Sequence, residues 1–185
     1  HRQNLIHRDI KPANIHITPA GQVKLMDFGL AISGDTKRLT AMGRIIGTPA
    51  YLSPEQAQGL PLDGRTDIYS TGIVLYELAT GVLPFDADDI GVLLLQQVKK
   101  TPKPPRELVA GLPAGLEHAL LRALAKKPED RFESAGAMAA ALGAVLAGVD
   151  RTLSHQAVEA DPLPRSDGGA PRPAAAPCDR AIRVV

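Results

Sequence analysis

Eight residues, His7-Arg8-Asp9-Ile10-Lys11-Pro12-Ala13-Asn14, constrain the rest of the chain most, because they crowd three charged groups and an amide between two apolar runs. Ile6 on one side and the alternation Ile15, Ile17 on the other read as buried ends, the first closing a helix and the second entering a short strand. A polar loop anchored at both ends is held rigidly and can aim its side chains. Asp9 offers a carboxylate acceptor, Lys11 a cation two residues on, and Asn14 an oxygen ligand five residues on. That set suits a phosphorylated, metal-bound substrate.

The loop resembles the catalytic loop of protein kinases, H-R-D-x-K-x-x-N, with every fixed position filled by His7, Arg8, Asp9, Lys11 and Asn14. Thirteen residues after Asn14, past the strand-like Val23-Lys24-Leu25-Met26, Asp27-Phe28-Gly29 resembles the family's magnesium-binding D-F-G. Gly47-Thr48-Pro49-Ala50-Tyr51-Leu52-Ser53-Pro54-Glu55 is similar to the segment that ends the activation loop, with Ser53 in place of the usual Ala. Any one motif alone reads equally as a polar turn; the ordered set of three points to the family. The wording from Pro49 to Ala57 resembles its bacterial, eukaryotic-like serine/threonine branch.

The resemblance implies an α+β, protein-kinase-like fold: a mainly helical large lobe with a small β-hairpin. It covers roughly residues 1–147, and neither a glycine-rich phosphate loop nor a V-A-I-K-like lysine strand occurs in the 185 residues. The expectation is therefore a large lobe whose small lobe is missing from this piece and lies upstream, with residues 1–148 as the kinase domain part. Alone, such a piece is expected to be inactive and poorly soluble.

By the same resemblance, Asp9 orients an acceptor hydroxyl and takes its proton, Lys11 neutralises phosphoryl charge, and Asn14 with Asp27 holds Mg²⁺ on ATP. Thr48 holds Asp9 and Lys11 in register; with Lys11 it implies serine or threonine acceptors on protein substrates. His7, Phe28 and Gly29 complete their motifs as structural positions. Arg8 implies an activation loop ordered by phosphate, with Thr40 the first choice of site, Thr36 and Ser33 the alternatives, and an unmodified loop the plain competitor. Asp67 resembles the aspartate that holds the catalytic loop's backbone, although it also suits a helix N-terminus. Arg131 resembles the arginine that clamps Glu55; an exposed arginine is the alternative. His16 departs from the apolar residue usual beneath the adenine ring, and reads either as a surface strand residue or as a contact to the base.

The remaining pattern fits one domain and a tail. Ile15–Thr18 and Gln22–Met26 read as strands about a Pro19-Ala20-Gly21 turn. Helices are expected over 67–79, 89–99, 116–125 and 135–146, the first apolar on nearly all sides and hence the core helix. Five prolines between 162 and 177 make 149–185 read as a disordered tail or linker. A net charge of +1 argues against nucleic acid as partner, and the apolar stretch 68–83 is interrupted by Ser70, Thr71, Glu77 and Thr80 and is too short to span a membrane comfortably. Cys178 is the single cysteine, so the expectation is a reducing, cytoplasmic setting. Two rivals remain: a small-molecule phosphotransferase of kinase-like fold, against which the 47–55 segment counts, and a truncated, non-catalytic binding module.

Overall fold

The computed structural model describes residues 5–27 and 49–159, with backbone alone for 150–159. Phe28, Gly29, Ser33, Thr36, Thr40, Thr48 and Cys178 lie outside the described residues. The architecture is mainly helical with one two-stranded antiparallel sheet, the α+β class expected. Strands β1 (Ile15–Ile17) and β2 (Val23–Leu25) pair Ile15 with Leu25 and Ile17 with Val23. Gly21, at φ 76°, closes the turn in a backbone conformation that costs a glycine nothing.

A 3-10 turn, Pro49–Tyr51, leads into helix α1 (Pro54–Gln58). Ser53 begins α1 with a reciprocal cap: its hydroxyl accepts from the Gln56 amide at 3.2 Å while its own amide donates to Gln56 Oε1 at 3.0 Å. The serine that departs from the family's alanine thus satisfies an orphan helix-end donor.

Helix α2 (Arg65–Thr80) runs through the centre, a little longer at each end than periodicity suggested. On one side Tyr69, Ile73 and Tyr76 join Ala50, Phe85, Leu93 and Leu124; on another, Ile68 joins Ala119, Ala123, Phe132 and Met138. Contact with α5 (Ala114–Ala123) is close at Gly72, where an added Cβ would lie 2.9 Å from Ala123 Cβ and 3.3 Å from Leu124 Cδ2. Ala123 Cβ cannot swing aside, so the helices would have to separate. Gly72→Ala is expected to destabilise the fold by about 1–3 kcal/mol, read as a lower thermal midpoint; an unchanged midpoint would show that the contact yields freely.

Helix α3 (Ile90–Lys99) is capped by Asp89 Oδ1, which accepts from the Val92 amide at 2.9 Å, and buries Leu93 and Gln97. The proline-rich stretch after it remains extended only to Pro104, then forms the short helix α4 (Pro105–Leu108). Helix α6 (Ala135–Glu159) corrects the expected boundary of the tail, because residues 149–159 continue the helix rather than begin an unstructured segment. They contain no glycine or proline to stop it; the next proline is Pro162. No helix of the described residues is long and apolar enough to cross a membrane.

Candidate active site

The loop at residues 5–14 owes its shape to the core helix. Asp67, 5% exposed on the first turn of α2, accepts the His7 amide on Oδ2 and the Arg8 amide on Oδ1, both at 2.9 Å. Arg8 has φ 68°, in the left-handed region that residues other than glycine seldom adopt, and its carbonyl accepts from Gln56 Nε2 at 2.7 Å. Strain of this kind persists where surrounding bonds over-determine the backbone. Here α2 holds the amide and α1 the carbonyl of the same residue.

His7 is buried and fixed at both ring nitrogens. Its Nδ1 faces the Asp9 amide at 3.4 Å and its Nε2 faces the Met26 carbonyl at 2.9 Å. An amide can only donate and a carbonyl only accept, so the neutral ring carries its proton on Nε2. The imidazole thereby ties the catalytic-type loop to the residue before Asp27. Asp27 itself has φ 54° and is exposed.

Asn14 closes the loop on Asp9. Its Nδ2 donates to the Asp9 carbonyl at 2.8 Å and to Asp9 Oδ2 at 2.9 Å, while its own carbonyl accepts from the Met26 amide at 2.8 Å. Two acceptors around one end of the amide identify that end as the NH₂ group, so Oδ1 points away from Asp9. Lys11 Nζ lies 2.9 Å from the same Asp9 Oδ2. Both donors fall on Oδ2, and among the described residues none faces Oδ1. Asp9, at 36% side-chain exposure, can be reached from solvent.

Asn14 and Asp27 stand at one end of the hairpin, since the bond from the Met26 amide extends the β1–β2 ladder by one step toward Asp27. An amide oxygen and a carboxylate are hard donors of the type Mg²⁺ takes, with waters and substrate phosphates supplying the rest. Among the described residues no group of three or more His, Cys, Asp or Glu side chains forms a metal cluster. His16, across from Lys24, is exposed on β1.

Glu55 and Arg131 meet in the interior. Nη1 and Nη2 donate to Glu55 Oε1 and Oε2 at 2.7 and 2.9 Å, and the remaining three guanidinium N–H groups reach the carbonyls of Ala125, Arg65 and Lys126 at 2.8, 3.0 and 3.0 Å. Every arginine donor is therefore used. Thr66 Oγ1 adds a bond to Glu55 Oε1 at 2.7 Å. Burial pushes the Glu55 carboxyl up, but the Arg131 hydrogen bonds and charge, with Thr66, hold it below the usual range. The exposed-arginine alternative does not apply, because the side chain is fully buried.

Beside this pair lies a set that motif reading missed. Gln97, fully buried, donates from Nε2 to the Ala50 carbonyl at 2.7 Å and accepts from the Tyr69 hydroxyl on Oε1 at 2.8 Å. Lys126 Nζ donates to the Gln97 carbonyl at 2.7 Å and to the Tyr69 hydroxyl at 3.1 Å, and sits 3.9 Å from the Phe85 ring centroid. Burial and the nearby Arg131 charge pull the Lys126 ammonium down to about 7. Burial first, then a 2.6 Å bond to Glu77 and that carboxylate's charge, raises the Tyr51 phenol.

The protein kinase domain model matches residues 1–141, more than half of the chain. The chain belongs to the protein kinase family. A probable serine/threonine-protein kinase of Clostridium acetobutylicum is 46% identical over 135 residues, 73% of this kinase chain and 20% of that protein. A probable serine/threonine-protein kinase PknB of Corynebacterium glutamicum is 46% identical over 149 residues, covering 77% and 23%. The serine/threonine-protein kinase PknB of Mycobacterium tuberculosis is 43% identical over 187 aligned residues, covering 90% and 30%. These relatives place the kinase with the eukaryotic-like serine/threonine kinases of bacteria, and the chain spans less than a third of their length.

Proposed function

We propose that the protein carrying this chain transfers the γ-phosphoryl group of ATP to serine or threonine hydroxyls of protein substrates. The observation that carries this reading is the state of Asp9: Lys11 and Asn14 both engage Oδ2, which leaves Oδ1 as the acceptor for an incoming hydroxyl. In that role Asp9 orients the hydroxyl and takes its proton as the oxygen bonds to the γ-phosphorus and the bond from that phosphorus to the β–γ bridging oxygen breaks, releasing ADP. Lys11, close enough to share Oδ2, offsets negative charge on the transferred group. Asn14 Oδ1 and the Asp27 carboxylate would hold Mg²⁺, which when bound offsets charge on the phosphate oxygens. Thr48 is assigned to keeping Asp9 and Lys11 in register, with Phe28 and Gly29 supporting Asp27.

On this reading catalysis also needs a small lobe to clamp ATP, supplied by upstream sequence, and takes place in the cytoplasm, where ATP is available. Arg8 is assigned to gripping a phosphate on the activation loop, at Thr40 first and Thr36 second.

The test is the full-length protein with Mg²⁺-ATP and a degenerate library of serine, threonine and tyrosine peptides. Label is expected on serine and threonine peptides alone, with autophosphorylation mapped by mass spectrometry to Thr40 or Thr36. Label on tyrosine peptides, or transfer only to small-molecule alcohols, would overturn the assignment. No phosphate between Ser33 and Thr48 in the active protein would remove the activation-loop role of Arg8.

A further inference from the structure

The turn Pro49–Tyr51 is fixed by side chains that reach it from two helices. Its first carbonyl, on Pro49, accepts from the Leu52 amide at 3.3 Å; the second, on Ala50, accepts from Gln97; and the third, on Tyr51, accepts from Ser70 Oγ at 2.8 Å. Five residues past Tyr51, Gln56 donates to the carbonyl of Arg8, next to Asp9. The turn and the loop that holds Asp9 are therefore parts of one hydrogen-bonded unit.

Gln97 is an unusual choice for its position. It faces the same core as Leu93, one helical turn earlier on α3, where an apolar side chain would pack without polar groups to satisfy. A buried glutamine amide is tolerable only when both ends are bonded. Here the NH₂ end takes the Ala50 carbonyl, and the oxygen end takes the Tyr69 hydroxyl, itself steadied by Lys126. The Lys126 ammonium also holds the Gln97 backbone carbonyl, so side chain and main chain of this residue are both pinned. The amide cannot rotate away from Ala50 without breaking the Tyr69 bond.

We infer that Gln97 is a positioning residue for the protein substrate: through the Ala50 carbonyl it fixes the Pro49–Tyr51 turn, which leads into the helix whose Gln56 holds Arg8 next to Asp9, and with it the surface offered to the acceptor peptide. The inference rests on the kinase reading above. Without Gln97, the Ala50 carbonyl is buried with no donor, and the turn must lift toward water to satisfy it. Such a shift moves the turn that leads into α1, whereas the contacts among Asp9, Lys11 and Asn14 involve no atom of the turn.

The test uses the full-length kinase with Gln97→Met, which keeps length and removes both polar ends, and Gln97→His, which retains a ring N–H within reach of the Ala50 carbonyl. KM for a serine or threonine peptide is expected to rise about tenfold in the methionine variant, the scale of one stranded buried carbonyl, with kcat and KM for ATP within about twofold. The histidine variant is expected to recover most of the loss. Hydrogen–deuterium exchange should show faster exchange at the Leu52 amide in the methionine variant alone.

A lower kcat at constant peptide KM would mean that Gln97 serves folding only, and would overturn the inference. So would unchanged Leu52 exchange, whatever the activity. If the methionine variant does not fold, Tyr69→Phe, which frees the Gln97 amide oxygen, must raise peptide KM in the same direction or the inference fails. A wild-type protein that phosphorylates no serine or threonine peptide would instead remove the kinase reading, and the substrate role of Gln97 with it.

Discussion

Asp9→Asn in the full-length kinase is expected to slow peptide phosphorylation by about 10²- to 10⁴-fold, the usual contribution of a positioned general base. The geometry makes this substitution informative. Lys11 Nζ and Asn14 Nδ2 both approach Oδ2 at 2.9 Å, so an asparagine at this position would turn its single oxygen toward those two donors. Its NH₂ group would then occupy the place of Oδ1. The incoming hydroxyl would meet a donor where it needs an acceptor, and its proton would have nowhere to go. Because the asparagine preserves both local hydrogen bonds, the thermal midpoint should stay within a degree or two of wild type, about the effect of a surface substitution. Initial rates at saturating ATP and peptide, paired with a melting curve, check both parts. Transfer near the wild-type rate in a folded Asp9→Asn protein would show that another group takes the proton.

What could be read in the sequence follows from the range of the interactions concerned. The hairpin after the loop and the core helix were legible because each is a local pattern, a glycine turn and an apolar helix, but Ile15 and Ile17 are not the buried ends their alternation suggests, Ile17 being 66% exposed. The pairing of Glu55 with Arg131, 76 residues apart, came only through resemblance to a family, since nothing local in either residue names the other. The Ser53 cap is legible in principle, as serine followed three residues later by glutamine. Gln97 had no such signal. Its role depends on Ala50 and Tyr69, which approach it only once α2 and α3 have packed, and a glutamine on an amphipathic helix reads as surface. The continuation of α6 to Glu159 runs through eleven residues with no helix breaker, because the proline-rich composition begins only beyond 161.

Arg131→Ala should produce the largest loss of stability in the described fold. All five guanidinium donors are bonded in the interior, and the alanine variant leaves Glu55 buried with its charge facing the Thr66 hydroxyl and its own backbone amide, and no cation of the pair. Stranding one partner of a buried pair costs about 3–5 kcal/mol. For a domain of this size that corresponds to a drop of about 6–20 °C in the kinase-domain melting transition. The pH dependence identifies the cause. In the wild type the Glu55 carboxyl is held low, so its contribution is complete above the unfolded-state value of about 4.3 and is lost only as pH falls through the lower folded value. In the alanine variant burial acts without the arginine and raises the carboxyl, so the folded state gains a proton that the unfolded state lacks, and the variant recovers stability as pH falls toward 5. The gap between the two melting curves should therefore narrow from pH 7.5 to pH 5. Replacing both partners, Arg131→Met with Glu55→Gln, removes the stranded charge and should regain part of the loss at neutral pH. An alanine variant that melts with the wild type, or a gap that widens on acidification, would mean that Glu55 is not held in place by Arg131.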